Sequence, residues 1–571
     1  MPPIKEPTAN EQLFLELVNR ARLDPAGEAA RFGIGLNDPT PGNPGDTPKD
    51  ELTPDAKQPL AYNPLLSLAA ERHSQDMLDR DYFAHEAPDP APNGTRPGDR
   101  MENAGYEFTG SWTWGENIAW SGMTTESGEP ASEIDPDALI VSHHEGLFKS
   151  AGHRVNLLND AFRETGVAQV IGEFTDTDGD YNASMLTNKF ATSGSDIFLT
   201  GVAYTDPDGD RFYSQGEGRA DVSISASGEA TASTAAGGYA LALAEGTGSV
   251  EVTFDWDGVP GAATLDMGGR NAKLDIVGGT RLMSSVDLEL GAGVVEAGLL
   301  GVGDLDLTGN DLDNLLIVGR GDNTIDGGGG DDIVEFGGLL DEYEITVEGG
   351  TITVTDTRAD HLNEGVNTLT NVATLRFSDG DHEPDTTPDP GDGEIRLSGN
   401  LGDLAGDPVA GAEVRFTPAG ETAPSHGMTS DDAGAFALGL DEGESGHLDA
   451  QRAHGPGDPA ITADDALDVL RLAVGLEPSF GPAQPAHFVA ADMNGNGKVR
   501  SDDALEVLRH AVDLASDHAP RWVFVDAETD WASLALDVDN TTVPRGMEIA
   551  SLDSDLDVEM TGILLGNMAT L

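Results

Sequence analysis

Ser150-Ala-Gly-His-Arg-Val-Asn156, with His143-His144-Glu145 before it and Glu164-Thr165-Gly166-Val167 after it, decides how the first third of the chain is read. Imidazoles and carboxylates gathered near small residues are the material of an acid–base pocket or a metal site. Upstream, His85 closes Asp81-Tyr-Phe-Ala-His85 and Glu116 lies in Trp114-Gly-Glu-Asn-Ile-Ala119. Taken singly, each also suits a satisfied structural hydrogen bond. Apolar periodicity predicts helices over 10–22, with Asn10 as cap, and over 64–80. Residues 39–59, rich in Pro, Gly and Asp, read as a loop. Asp176, Asp178 and Asp180 read as a hairpin tip.

YFAH at 82–85, AGY at 104–106, GENIA at 115–119, SAGHRVNLL at 150–158 and ETGVAQV at 164–170 follow in an order that closely resembles the bacterial branch of the CAP superfamily (cysteine-rich secretory, antigen 5, pathogenesis-related 1; also called SCP), over roughly residues 10–193. The resemblance implies an α-β-α sandwich with a cleft where two histidines and two acids converge, often around zinc or another divalent metal. Carried over by motif, these are His85, His153 and Glu116. The second acid falls on Glu145, with His144 as competitor, since the preceding helix lacks the family's tryptophan. Such domains mostly bind lipids, glycans or proteins. With no Ser or Cys nucleophile in the motifs, hydrolysis would have to be metal-assisted. Binding is therefore the leading reading, and a metal-dependent hydrolase with His85 and His153 as ligands and Glu116 or Glu145 as base is the alternative.

Length and composition bound the remainder. A chain of 571 residues implies about four domains. The net charge of −71, from 102 acidic and 31 basic residues, excludes nucleic acid and anionic membranes as partners. It suits high salt or many bound divalent cations. Only 7 of the 31 cations are Lys. There is no cysteine, hence no disulfide or thiolate metal site. No window reaches the roughly 18 apolar residues of a membrane span, and residues 1–11 lack a signal-peptide pattern.

Five further modules are expected. In 196–283, a β-sandwich module, Asp206, Asp208, Asp210 and Glu217 stand at positions one, three, five and twelve of an EF-hand-like loop, with Arg211 where such loops place Gly. In 284–384, nonapeptides at 309–335 resemble the calcium-binding repeats of RTX proteins, which implies a parallel β-roll with Asn323 and Asp332 among its ligands and export by type I secretion. After a Pro/Asp linker at 385–393 comes a small sandwich, 394–450. A duplicated helix then spans 451–518. Asp492, Asn494, Asn496, Lys498 and Asp503 give its second loop a calcium pattern, with Gly497 at position six, whereas His454 and Pro456 replace the acids of the first. This EF-hand-like pair resembles a dockerin, which implies a cohesin-like or surface partner in a polysaccharide-degrading complex. Residues 519–571 close the chain as a β-element.

The expected whole is a multidomain α+β chain: a CAP domain at 1–195, β-sandwich modules, a parallel β-roll solenoid and an EF-hand-like dockerin helix pair. It reads as a secreted, calcium-binding protein that binds a lipid, glycan or protein ligand and has no transmembrane segment.

Overall fold

The computed structural model describes residues 5–124, 130, 131, 133–348, 350–384, 395–431, 433–441, 443–455, 458–552 and 554–568. The expected linker at 385–393 and Pro456 lie outside them. The chain forms two compact units, Met1–Thr346 with Thr351–Pro384, and Val347–Gly350 with Asp385–Leu571. No helix among the described residues is long and apolar enough to cross a membrane.

The first unit begins with helices α1 (Ala9–Leu23) and α2 (Pro25–Arg31), strand β1 (Ala61–Tyr62), helices α3 (Pro64–Asp79) and α4 (Pro97–Ala104), and strand β2 (Thr113–Met123). Helices α5 (Pro136–Lys149) and α6 (Ala151–Leu157), then strands β3 (Glu164–Asp176) and β4 (Gly179–Thr192), complete a sheet of order β1-β3-β4-β2. Strands β3 and β4 form a hairpin whose tip, Asp176 opposite Gly179, is the expected acidic turn.

Strand alternation sends successive residues to opposite faces. Val167, Leu186 and Phe190 join α1 and α5 in one core, while Ala183 and Met185 join Met77 and Leu78 of α3 in another. The sheet is therefore sandwiched between helical layers. Thr8, rather than the expected Asn10, caps α1 through a capping box with Glu11. Asn10 instead bonds Gln169 on the sheet.

Strand β5 (Ile197–Tyr204) opens a pair of large sheets, one of ten strands and one of nine. It lies parallel to Ala272–Val277, which pairs with Arg281–Ser284, which pairs in turn with Glu296–Leu299. Hydrogen bonding thus runs through the expected 283/284 boundary without a break. Downstream strands pair in parallel at 18-residue intervals, Asp306 with Thr324 and Leu315 with Ile333. Two nine-residue units therefore make one turn, with Leu307, Leu316, Ile325 and Val334 filling a thin buried core.

The 195/196 boundary is equally bridged. Val202, Tyr204, Tyr213, Val277 and Met283 belong to the same core as Phe14, Leu17 and Phe148. A buried Lys273 ammonium ties Glu16 of α1, at 2.8 Å, to its near neighbour Asp275.

In the second unit, one sheet of order His426–Thr429, Glu413–Pro418, Gly446–Ala453, Arg521–Asp526, Leu556–Leu564, Ile395–Asp403 and Ala435–Leu440 spans the expected small sandwich and the closing β-element. The expected helices appear as Ala463–Ala473 and Ser501–Ala511, joined by Pro485–Ala491. They enter the chain between two neighbouring strands of that sheet, and Val469 and Val507 share its core with Phe416 and Phe524.

Candidate functional site

Glu116 is the centre of the site. On β2 it faces α3 and α4, directly opposite Lys189 across the antiparallel pair. Its side chain is almost wholly buried, a placement that requires compensating charge. Lys189 supplies one ion pair, and Arg100 of α4 supplies a second, with Nη2 at 2.9 Å from Oε2 and 3.2 Å from Oε1. His85 Nδ1 stands 2.8 Å from Oε1, and His73 Nε2 lies 3.9 Å away. Although burial opposes ionisation, Lys189, His85 and their neighbours together hold the Glu116 carboxyl far below its usual range. Burial keeps His73 neutral, at about 3, and brings Lys189 down to about 8.

His153 approaches from the opposite helical layer. Two asparagines latch α6 to β2: Asn117 Nδ2 donates to the His153 carbonyl at 3.1 Å, and Asn156 Nδ2 donates to Asn117 Oδ1 at 2.9 Å and to the Glu116 carbonyl at 3.3 Å. The GEN and GHRVN motifs are therefore two sides of one joint. His153 Nδ1 is 2.8 Å from Ser150 Oγ, and burial, reinforced by the nearby His85, lowers its basicity. The AGY and ETG motifs also meet, since the Tyr106 hydroxyl donates to Glu164 at 2.6 Å. Gly166 is required there because a Cβ would stand 2.1 Å from the Ser67 nitrogen of α3.

His85 bonds Glu116, and His153 lies within electrostatic reach of His85, whereas Glu145 bonds none of them. It is half exposed and pairs with Lys149 one turn along α5. His144, its competitor, is buried 2.8 Å from Glu28, and His143 bonds Ser184. The sequence reading missed Arg100, Lys189 and His73. A signal was present: Lys189 interrupts an otherwise apolar or uncharged buried strand opposite Glu116, and a buried cation there demands an acid.

The expected cation loops differ in kind. Asp206, Asp208 and Asp210 hold oxygens within 4.8 Å of one another. Arg211 adopts φ +60°, taking the turn that Gly takes in an EF-hand loop. Glu217 Oε2 accepts Ser214 N at 2.6 Å, and Asp206 Oδ2 accepts Arg281 at 2.9 Å. In the coil Asn323 is held by carbonyls of Gly319 and Gly321 and by Asn367. Asp332 is fully buried with Oδ2 unpartnered, and burial beside other carboxylates pushes it up to about 6. In the second unit Asp492 accepts from Asn496 N, Gly497 N and Thr541, and Asp503 accepts from Asn494 N and Arg500 N. Burial likewise raises Asp503 to about 6. Asn494 donates to Asp502, and Lys498 is exposed.

The depressed Glu116 carboxyl makes a pH-dependent contribution. Its stabilisation is complete above the unfolded value of about 4.3 and is lost as pH falls below it. Glu116→Gln leaves Lys189 and Arg100 buried without a counter-charge, so urea unfolding at pH 7 should show a loss of about 3–5 kcal/mol. The gap from wild type should narrow progressively below pH 4; a gap of constant size would refute this account.

A family model described as the cysteine-rich secretory protein family, CAP, matches residues 15–179. The uncharacterized protein YkwD of Bacillus subtilis is 34% identical over 113 residues, covering 20% of this chain and 35% of that protein. A solved extracellular protein containing a SCP domain, from Bacillus anthracis, is 28% identical over 24% of this chain and 34% of its own, with a TM-score of 0.16. The extracellular lipase LipA of Serratia marcescens is 18% identical over 21% of this chain and 23% of its own, with a TM-score of 0.11. This chain thus spans about a third of the length of the first two, and scores so low leave the fold to rest on its own strands and helices. Motif order and family match agree on one point: residues 15–179 are a CAP domain.

Proposed function

We propose that the CAP domain is the binding module of an extracellular protein, recognising its ligand at the His85–His153 rim. The observation that carries this reading is the occupied carboxylate of Glu116. A general base needs a lone pair free to take a proton, yet Glu116 already meets Lys189, Arg100 and His85. A zinc centre fits poorly for the same reason. Two buried cations already neutralise the Glu116 carboxylate and Glu145 pairs with Lys149, so neither motif acid is free to complete a ligand set with His85 and His153. What remains accessible is a pair of imidazoles able to donate or accept hydrogen bonds from a lipid, glycan or protein group.

The test uses the full chain loaded with zinc, presented to peptide and ester panels and to glycan, lipid and protein arrays, beside His153→Ala. Wild type should bind one ligand class, roughly tenfold more tightly than the variant, without turnover. Hydrolysis by wild type that disappears in His153→Ala would overturn the reading.

Calcium is proposed as the cofactor of the rest of the chain. The Asp206–Asp208–Asp210 group, the unpartnered Asp332 oxygen and the carboxylates of the Asp492–Asp503 loop support it. Like-charged oxygens held this close repel until a cation joins them. Asp332→Ala combined with Asp492→Ala should therefore lower the melting temperature in calcium but not in chelator, and equal loss in both would sink the proposal.

Export by a type I route goes with this reading, because a coil that folds on binding calcium stays loose where calcium is scarce and sets outside the cell. In a heterologous host, appearance of the chain in the medium should require a co-expressed type I exporter. Secretion without one would remove this route. A cohesin-like partner for the second unit's helix pair is the corresponding proposal for attachment.

A further inference from the structure

Within the first unit, a cavity of about 260 Å³ opens where α1 and α2 meet the 206–217 loop and the parallel coil. In a chain of 31 cations against 102 acids, five cations converge on it: Arg20, Arg31, Arg211, Lys273 and Arg320. Four carboxylates line it too, so the distribution of hydrogen-bonding capacity decides what the cavity can accept.

Each carboxylate already accepts from two donors or more. Glu16 accepts from Lys273 and Gln12, and Asp24 accepts from Arg320 and Gly27 N. Asp275 accepts from Lys273 and Val202 N, and Glu364 accepts from Tyr343 and Gly337 N. The guanidiniums are less fully used, since each carries five N–H donors. Arg20 directs two of its nitrogens to Glu28, while its guanidinium lies over the Phe212 ring. Arg211 and Arg320 each meet a single carboxylate through one nitrogen. Arg31 makes one contact, 3.4 Å to Glu28. Tyr213, 2% exposed on the same wall, has a buried hydroxyl with no partner. Unused donors therefore outnumber unused acceptors.

We propose that this junction cavity is a binding site for a small oxyanion-bearing solute, a carboxylate or a phosphate ester, held by Arg31, Arg211 and Arg320 and by the Tyr213 hydroxyl. Planar guanidinium forks match both groups bidentately. Small-molecule sites span roughly 300–1,000 Å³, so the volume limits the ligand to about the size of a monosaccharide. This site lies apart from the His85–His153 rim and stands independently of the function proposed there.

The experiment titrates the full chain calorimetrically with inorganic phosphate and, separately, with glucuronate, each at constant ionic strength, with glucose as the neutral control. Arg31→Gln and Tyr213→Phe are the informative variants. The first removes an arginine with one long contact, and the second removes a hydroxyl that bonds nothing, so neither should shift the ligand-free melting temperature. Saturable binding of one anion but not of glucose, weakened about tenfold by Arg31→Gln and several-fold by Tyr213→Phe, is expected and names the source. Absence of saturable binding of either anion, or affinities unchanged in both variants, would overturn the proposal.

Discussion

Helix α1 has almost no face left for water, and the first unit is arranged around that constraint. Twelve of its residues are buried, among them Glu11, Gln12, Glu16, Asn19 and Arg22. An isolated surface helix turns one apolar stripe inward. Here the stripe packs on the CAP sheet and α5, and the polar side faces protein as well. Each of these buried polar side chains makes at least one bond to protein: Glu16 has Lys273, Asn19 has the Leu60 backbone, and Arg22 has the carbonyls of Gln58, Leu157 and Asn159. A helix bonded on both sides joins its neighbours into one body, which is why the core runs from Phe14 to Met283.

Glu116 shows the same logic at smaller scale. A carboxylate buried between a sheet and two helices is tolerated because cations from both β4 and α4 reach it. Once satisfied, it fixes the position of His85, whose own carbonyl also accepts from Arg100 at 2.7 Å. The acid orients the imidazole, and the imidazole faces solvent. A site built this way presents a preset hydrogen-bonding surface, in keeping with recognition.

The sequence was informative wherever a local period or a turn residue dictated structure. The helices at 10–22 and 64–80, the acidic tip of the β3–β4 hairpin, the nine-residue strand spacing and the duplicated helices of the second unit were visible in the sequence pattern. His85, Glu116 and His153 were visible through their motifs. What stayed hidden depends on distance in space. Lys189 meets Glu116 only through cross-strand register, and Arg100 reaches it from a helix that shows no motif. Glu145 misled because a position on the correct helix says nothing about the face it occupies, and α5 turns that face toward Lys149. The expected boundary at 283/284 cuts through the strand Arg281–Ser284, because parallel pairing with the next strand leaves no local signature.

With no cysteine in the chain, something else has to hold the long loops of the CAP region, and its buried arginines do so. Arg154 donates to the carbonyls of Gly35 and Asp38, Arg22 to those of Gln58, Leu157 and Asn159, and Arg100 to those of Thr95 and His85. A guanidinium suits the task better than an ammonium because its planar array of donors reaches several carbonyls at once and is weakly hydrated when buried. Most of the acids stay outside, where water and counter-ions screen them, and the buried cations serve local needs: Arg22, Arg100 and Arg154 staple loops, Lys189 and Arg100 neutralise Glu116, and Lys273 neutralises Glu16.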